Sequence, residues 1–126
     1  MSEAYYVPRI LIVEQTINVQ ASIALSLQQM GYVTATTRHR EEAITIMLED
    51  PYDVVVMDPF EGHALLELLQ DLRSDDRLGF PRIILVTESI GRAMDAVDNG
   101  WADMALDKDT MDFEQVASAV ASLLGV

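Results

Sequence analysis

Two kinds of apolar pattern alternate along this chain, and that alternation limits its fold more than any single motif. Arg9-Ile10-Leu11-Ile12-Val13, Asp53-Val54-Val55-Val56-Met57 and Arg82-Ile83-Ile84-Leu85-Val86 are short, nearly continuous apolar runs rich in β-branched residues. Such runs mark strands buried on both faces, as in a parallel sheet covered by helices. Between them, apolar residues recur at helical spacing. Val19, Ile23, Leu27 and Met30 form one set; Ala43, Ile44, Met47 and Leu48 form the next. Leu65, Leu66, Leu68, Leu69 and Leu72 form a third, and the pattern closes near Arg73.

Punctuation between these segments agrees. Thr16 stands where a helix N-cap belongs, and Gly31 supplies a left-handed stop for the first helix. Tyr32 to Thr36 reads as a shorter edge strand, and Asp50-Pro51 breaks the helix spanning Glu41 to Leu48. Gly79-Phe80-Pro81 turns the chain into the fourth strand, which ends at Thr87. A weaker helix from Ile90 to Val97 stops at Asn99-Gly100, and Ala102 to Leu106 forms a fifth strand. Asp112 caps a last helix carrying Phe113, Val116, Ala117, Val120, Leu123 and Leu124. The expected fold is α/β, a doubly wound (βα)5 domain over residues 1–126. Its simplest strand order is the flavodoxin-like 2-1-3-4-5.

Composition removes several function classes. The 126 residues are one domain's worth, and half are apolar, which suits a packed core rather than a disordered tail. No cysteine is present, so disulfides and thiolate metal sites are excluded. A net charge of −13 opposes direct nucleic-acid binding and anionic membranes, and it suits cations or basic partner surfaces. The start of the chain carries no basic, apolar signal pattern, and no apolar run reaches the roughly 20 residues of a membrane helix. The expectation is a cytoplasmic protein. There is no GxGxxG, P-loop or Ser–His pair, so cofactor-binding and hydrolase readings are weak. His63 has no partner at metal-ligand spacing, and Arg38-His39-Arg40 reads as the solvated start of the second helix. Trp101 suits either a packing role or a partner surface.

Chemistry in such sheets lies beyond the carboxyl ends of the strands, where strand order reverses. With the order above, the first strand delivers Glu14 and Gln15 there, the third Asp58, the fourth Thr87 and the fifth Lys108. Acid, hydroxyl and ammonium converging from separate strands fit phosphoryl transfer to a carboxylate. Asp58 is the nucleophile, a nearby acid helps it to hold Mg²⁺, and Lys108 and Thr87 meet the phosphoryl oxygens.

In these residues the chain resembles the receiver domains of two-component response regulators, the CheY-like superfamily. The likeness rests on Ile10-Leu11-Ile12-Val13-Glu14-Gln15, Asp53 to Asp58, Ile84-Leu85-Val86-Thr87 and Leu106-Asp107-Lys108, with Gly31-Tyr32 and Leu72-Arg73 in support. It spans nearly the whole chain. It implies a signalling module rather than an enzyme, with Asp58 as phosphoacceptor, Thr87 as switch hydroxyl and Lys108 as phosphate-pairing lysine. Glu14 and Gln15 take the positions of the metal-binding acidic pair, with Asp58 completing a Mg²⁺ site. The implied partners are a histidine kinase or phosphotransfer protein and a downstream protein or separate effector domain. The implied output surface is formed by the fourth helix, fifth strand and fifth helix, through which many receivers form homodimers.

Several residues depart from the family pattern. Gln15 replaces an acid and predicts weakened Mg²⁺ binding. Glu88 stands in place of a small residue, and Asp58-Pro59-Phe60-Glu61-Gly62 lacks the usual Met-Pro and is about one residue short. Asp109 replaces a proline after Lys108, which predicts a trans bond and a differently aimed lysine. Ala105 replaces the aromatic residue of the usual relay. These departures motivate an alternative, a pseudo-receiver that binds protein partners without phosphorylation.

Overall fold

A computed structural model describes residues 6–59 and 64–125, with side chains given from Glu67 onward in the second segment. Elements alternate strictly. They are β1 (Arg9–Val13), α1 (Ile17–Gln29), β2 (Val33–Thr37), α2 (Arg40–Glu49), β3 (Val54–Met57), α3 (Ala64–Ser74), β4 (Arg82–Thr87), α4 (Ile90–Asp98), β5 (Met104–Asp107) and α5 (Phe113–Leu124). A short 3-10 turn, Asp76–Leu78, joins α3 to β4. All strand pairs are parallel, in the order β2-β1-β3-β4-β5. The expected (βα)5 architecture and strand order are therefore present.

Side-chain alternation along each strand divides the interior into two layers. Leu11, Val13, Val55, Met57, Ile83 and Leu85 face one side, where Ala43 and Met47 of α2, Leu69 and Leu72 of α3 and Ala93 of α4 cover them. Ile10, Ile12, Val54, Val56, Ile84 and Val86 face the other, against Ile23 and Leu27 of α1 and Val116 and Val120 of α5. Each fully buried Val, Leu or Ile contributes roughly 1.5–3 kcal/mol, so these central strands dominate the apolar stabilisation.

The helix ends show where local pattern was overruled. Asp112 forms a full capping box with Gln115, as expected. Thr16 occupies the N-cap of α1, but its side chain makes no cap hydrogen bond. Its backbone N–H donates instead to the Glu14 carboxylate. Met30 and Leu48, expected on inner faces, are 51% and 46% exposed. Met30 is the C-cap residue just beyond α1, and Leu48, next to buried Met47, points away from the face that α2 turns to the sheet. Trp101 lies before β5, not in it, and packs partly buried against the α2–α4 layer. His63 and the Phe60-Glu61-Gly62 stretch lie outside the described residues.

Candidate functional site

The carboxyl ends of the strands are joined to one another by main-chain hydrogen bonds. Glu14 N–H donates to Thr37 O at 3.0 Å, Asp58 N–H to Val13 O at 3.0 Å, and Lys108 N–H to Thr87 O at 2.9 Å. The first residues beyond β1, β3 and β5 are therefore held in register with the last residues of β2, β1 and β4. Sheet pairing alone brings Glu14, Asp58, Thr87 and Lys108 to one edge, at the β1–β3 switch point.

Lys108 occupies the centre of the cluster. Its Nζ lies 2.6 Å from Glu14 Oε1 and donates to Asp58 Oδ2 at 2.7 Å. The peptide bonds of the described residues are all trans, Lys108–Asp109 among them. A trans bond therefore does not turn the lysine away, which corrects the sequence expectation. The reason is local. Lys108 N–H is already fixed to β4, and a flexible four-carbon stem reaches the carboxylates from there.

Glu14 is 1% exposed, whereas the side chains of Lys108 and Asp58 are 12% and 23% exposed. Glu14 Oε1 meets the Lys108 ammonium and no other donor among the described residues. Oε2 accepts from Thr16 N–H at 3.2 Å. Burial pushes the Glu14 carboxyl above its ordinary pKa, outweighing the downward pull of Lys108 and Thr16, and the nearby Asp58 charge adds to the rise. Burial works to lower the Lys108 pKa, but its two carboxylate partners outweigh it and hold the proton more firmly. Asp58 Oδ1 takes no hydrogen bond from any described residue.

Above this cluster is a polar cavity of about 420 Å³, lined by Gln15, Thr16, Asp58, Pro59, Thr87, Glu88, Ser89 and Lys108. Gln15 and Glu88 are exposed on its wall; Glu14 lies beneath it. Thr87 is buried, and its Oγ1 accepts the N–H of Ser89, the N-cap of α4, at 2.9 Å. That hydrogen bond carries no residue-type signal at Ser89, because it uses the backbone, and only the fold reveals it. Ala105 is partly buried in the α2–α4 layer.

The donor set fits a hard cation in part. One ammonium shared by two carboxylates marks a point where positive charge is satisfied, and Glu14, Asp58 and the Gln15 amide offer the oxygens Mg²⁺ prefers. The third acid is missing. Among the described residues, no three His, Cys, Asp or Glu side chains cluster closely enough to hold a metal.

No family model and no curated protein sequence matches this chain. Solved structures do. A response regulator from Thermotoga maritima superposes with a TM-score of 0.82 at 16% identity, covering 96% of this chain and 100% of the other. TrrA, a response regulator of the same organism solved in complex with Mg(2+)-BeF, gives 0.77 at 26% identity, covering 93% and 99%. The chemotaxis response regulator CheY4 of Vibrio cholerae gives 0.79 at 18% identity, covering 94% and 99%. Strand order, alternating helices and superposition over nearly the full length agree: the chain has the fold of a CheY-like response-regulator receiver domain.

Proposed function

We propose that this chain is a receiver domain of two-component phosphorelay signalling that accepts a phosphoryl group on Asp58 from a histidine kinase or phosphotransfer protein. One observation carries the reading: Asp58 shares the Lys108 ammonium with buried Glu14 through Oδ2, and it lines a polar cavity together with Thr87 while its Oδ1 takes no hydrogen bond from any described residue. Oδ1 attacks phosphorus, the new P–O bond forms, and the P–N bond to the donor imidazole breaks as that ring leaves. Lys108 offsets the negative charge on Asp58 and afterwards pairs with the phosphoryl oxygens. A hard dication bound by Glu14, Asp58 and the Gln15 amide would neutralise charge on the transferring group, with an affinity reduced by the missing acid.

The switch follows from Thr87. Its Oγ1 lone pair is used by Ser89 N–H, and its hydroxyl proton has no acceptor among the described residues. Donating that proton to a phosphoryl oxygen draws Thr87 toward Asp58, and the Ser89 bond passes the movement to the N-cap of α4. The α4–β5–α5 face is thereby altered without an aromatic residue at position 105.

Incubation with acetyl phosphate and Mg²⁺, followed by intact mass, is expected to add one phosphoryl group to the wild type and none to Asp58→Asn. No adduct, or an equal adduct on the variant, would overturn this reading. Exposed Gln15 and Glu88 on the cavity wall favour a second reading, a phosphorylation-independent interaction module. Beryllofluoride with Mg²⁺ separates the two: amide shifts around Thr87 and α4 support the first, and an unchanged spectrum supports the second.

A further inference from the structure

Charge is divided unevenly between the two helical layers. Of all residues 23% are charged, yet none lies between Gln15 and Thr37. That stretch includes the whole of α1, and α5 carries a single charged residue, Glu114. Helices α2, α3 and α4, on the other side of the sheet, each carry both acids and bases. Burial does not explain the difference. α1 buries only Ile23, Ala24 and Leu27, whereas Asn18, Ala21, Leu25, Gln28 and Gln29 are exposed without a charge among them. Ile17, Leu25 and Met30 are at least half exposed.

α1 packs against α5, and a hollow of about 290 Å³ between them is lined by Ser26, Gln29, Met30, Glu114, Ala117 and Ser118. The short side chains of Ser26, Ala117 and Ser118 leave that space open. Leu25 stands beside it, next to Ser26 in the chain and one helical turn before Gln29. Exposed apolar side chains on a face depleted of charge are the mark of a protein contact. The charge distribution also selects the occupant. A helix that lies on a membrane presents Lys and Arg, and α1 has neither. A basic protein is drawn to acids, which this face lacks except for Glu114. Two copies of a chain with a net charge of −13 repel each other least where their uncharged faces meet. A two-fold pair presents the same patch twice, so one projecting leucine beside one hollow is self-complementary.

We infer that the α1–α5 face is a homodimer interface in which Leu25 of each copy enters the hollow between α1 and α5 of the other. It is distinct from the α4–β5–α5 face and independent of the function proposed for Asp58. Sedimentation velocity of the full chain, from micromolar to millimolar concentration and at low and high salt, tests it. A reversible monomer–dimer equilibrium is expected, equal in Asp58→Asn, and tighter at high salt because screening weakens the repulsion between like-charged copies. Leu25→Glu and Ser118→Glu should each weaken the dimer roughly tenfold or more, since each sets like charges against one another in a desolvated contact. Met94→Glu, at an exposed position of α4, should leave it unchanged. Leu25 and Ser118 are exposed, and thermal melts check that their variants fold. A dilution series of the ¹⁵N-labelled wild type maps the contact without any substitution, with amide shifts expected on α1 and α5. A chain monomeric at every concentration, which would leave this face to a different protein, would overturn the inference. So would a dimer weakened by salt, or one lost in Met94→Glu but kept in Leu25→Glu.

Discussion

The two ends of the sheet each hold a charged cluster, and the clusters differ in how completely their carboxylates are satisfied. At the amino end, Asp103 Oδ2 accepts from Arg73 at 2.8 Å and from Ile83 N–H at 2.8 Å, while Oδ1 faces Arg82 at 3.4 Å. Two cations and a backbone donor serve one acid. Asp53, at the same end, accepts from Arg9 N–H and from the Tyr6 hydroxyl. At the carboxyl end the ratio is reversed. Glu14 and Asp58 share one lysine, Glu14 Oε1 meets no other donor, and Asp58 Oδ1 takes no hydrogen bond, among the described residues. Saturated acids staple strands; an excess of acid leaves a site that attracts further positive charge or an electrophile.

Lys108→Met should disturb this contrast most. It strands a buried carboxylate, at a cost of about 3 kcal/mol near pH 8 in urea unfolding. The sign follows from Glu14. A folded pKa raised above its ordinary value gives a contribution that is fully present at low pH and is lost as pH rises through the folded pKa. The deficit of Lys108→Met should therefore shrink on acidification toward the ordinary carboxylate range, and a pH-independent deficit would contradict the account. Asp103→Ala removes an acid that is fully served. About 2 kcal/mol of stability should be lost, with phosphorylation of the folded fraction by acetyl phosphate unchanged.

Gln15→Asp sharpens the comparison from the other side by adding a third acid to the deficient cluster. Mg²⁺ affinity, read by amide shifts, should rise about tenfold because charge count tunes dication binding; equal affinity would mean that position 15 does not face the metal. The smallest effect belongs to Tyr6→Phe. Tyr6 is mostly exposed, so solvent screening limits its hydrogen bond to roughly 0.5 kcal/mol. Its hydrogen bond to Asp53 raises the hydroxyl pKa, with slight burial adding to the rise, so this increment is present at neutral pH and lost as pH rises through the tyrosine's folded value. Wild type and variant should converge in strong alkali.

Much of the architecture was legible because each strand carries its own burial signal. Arg9–Val13 reads as a strand with the bounds it has, since both neighbours of β1 and both faces demand apolar side chains. Met30 and Leu48 misled because helical spacing defines a broad stripe without fixing its edge or its end: Met47 is buried while Leu48 beside it is exposed, and Met30 already lies beyond the last residue of α1. Lys108 was harder still. Its identity is that of a common surface residue, and only the Thr87 O bond and the reach of its side chain aim it at the acids.

By itself, the sequence determined the alternation of strands and helices, the two-sided core and the chemical types delivered to the strand ends. These depend on periodicity and local stop signals, which are short-range properties of the chain. Tertiary structure decided the rest: that Lys108 bridges Glu14 and Asp58, that Glu14 is buried beneath the cavity, and that Thr87 holds the N-cap of α4. Those facts arise where four strands end side by side. Partners up to 94 residues apart meet there only after the sheet has closed its register.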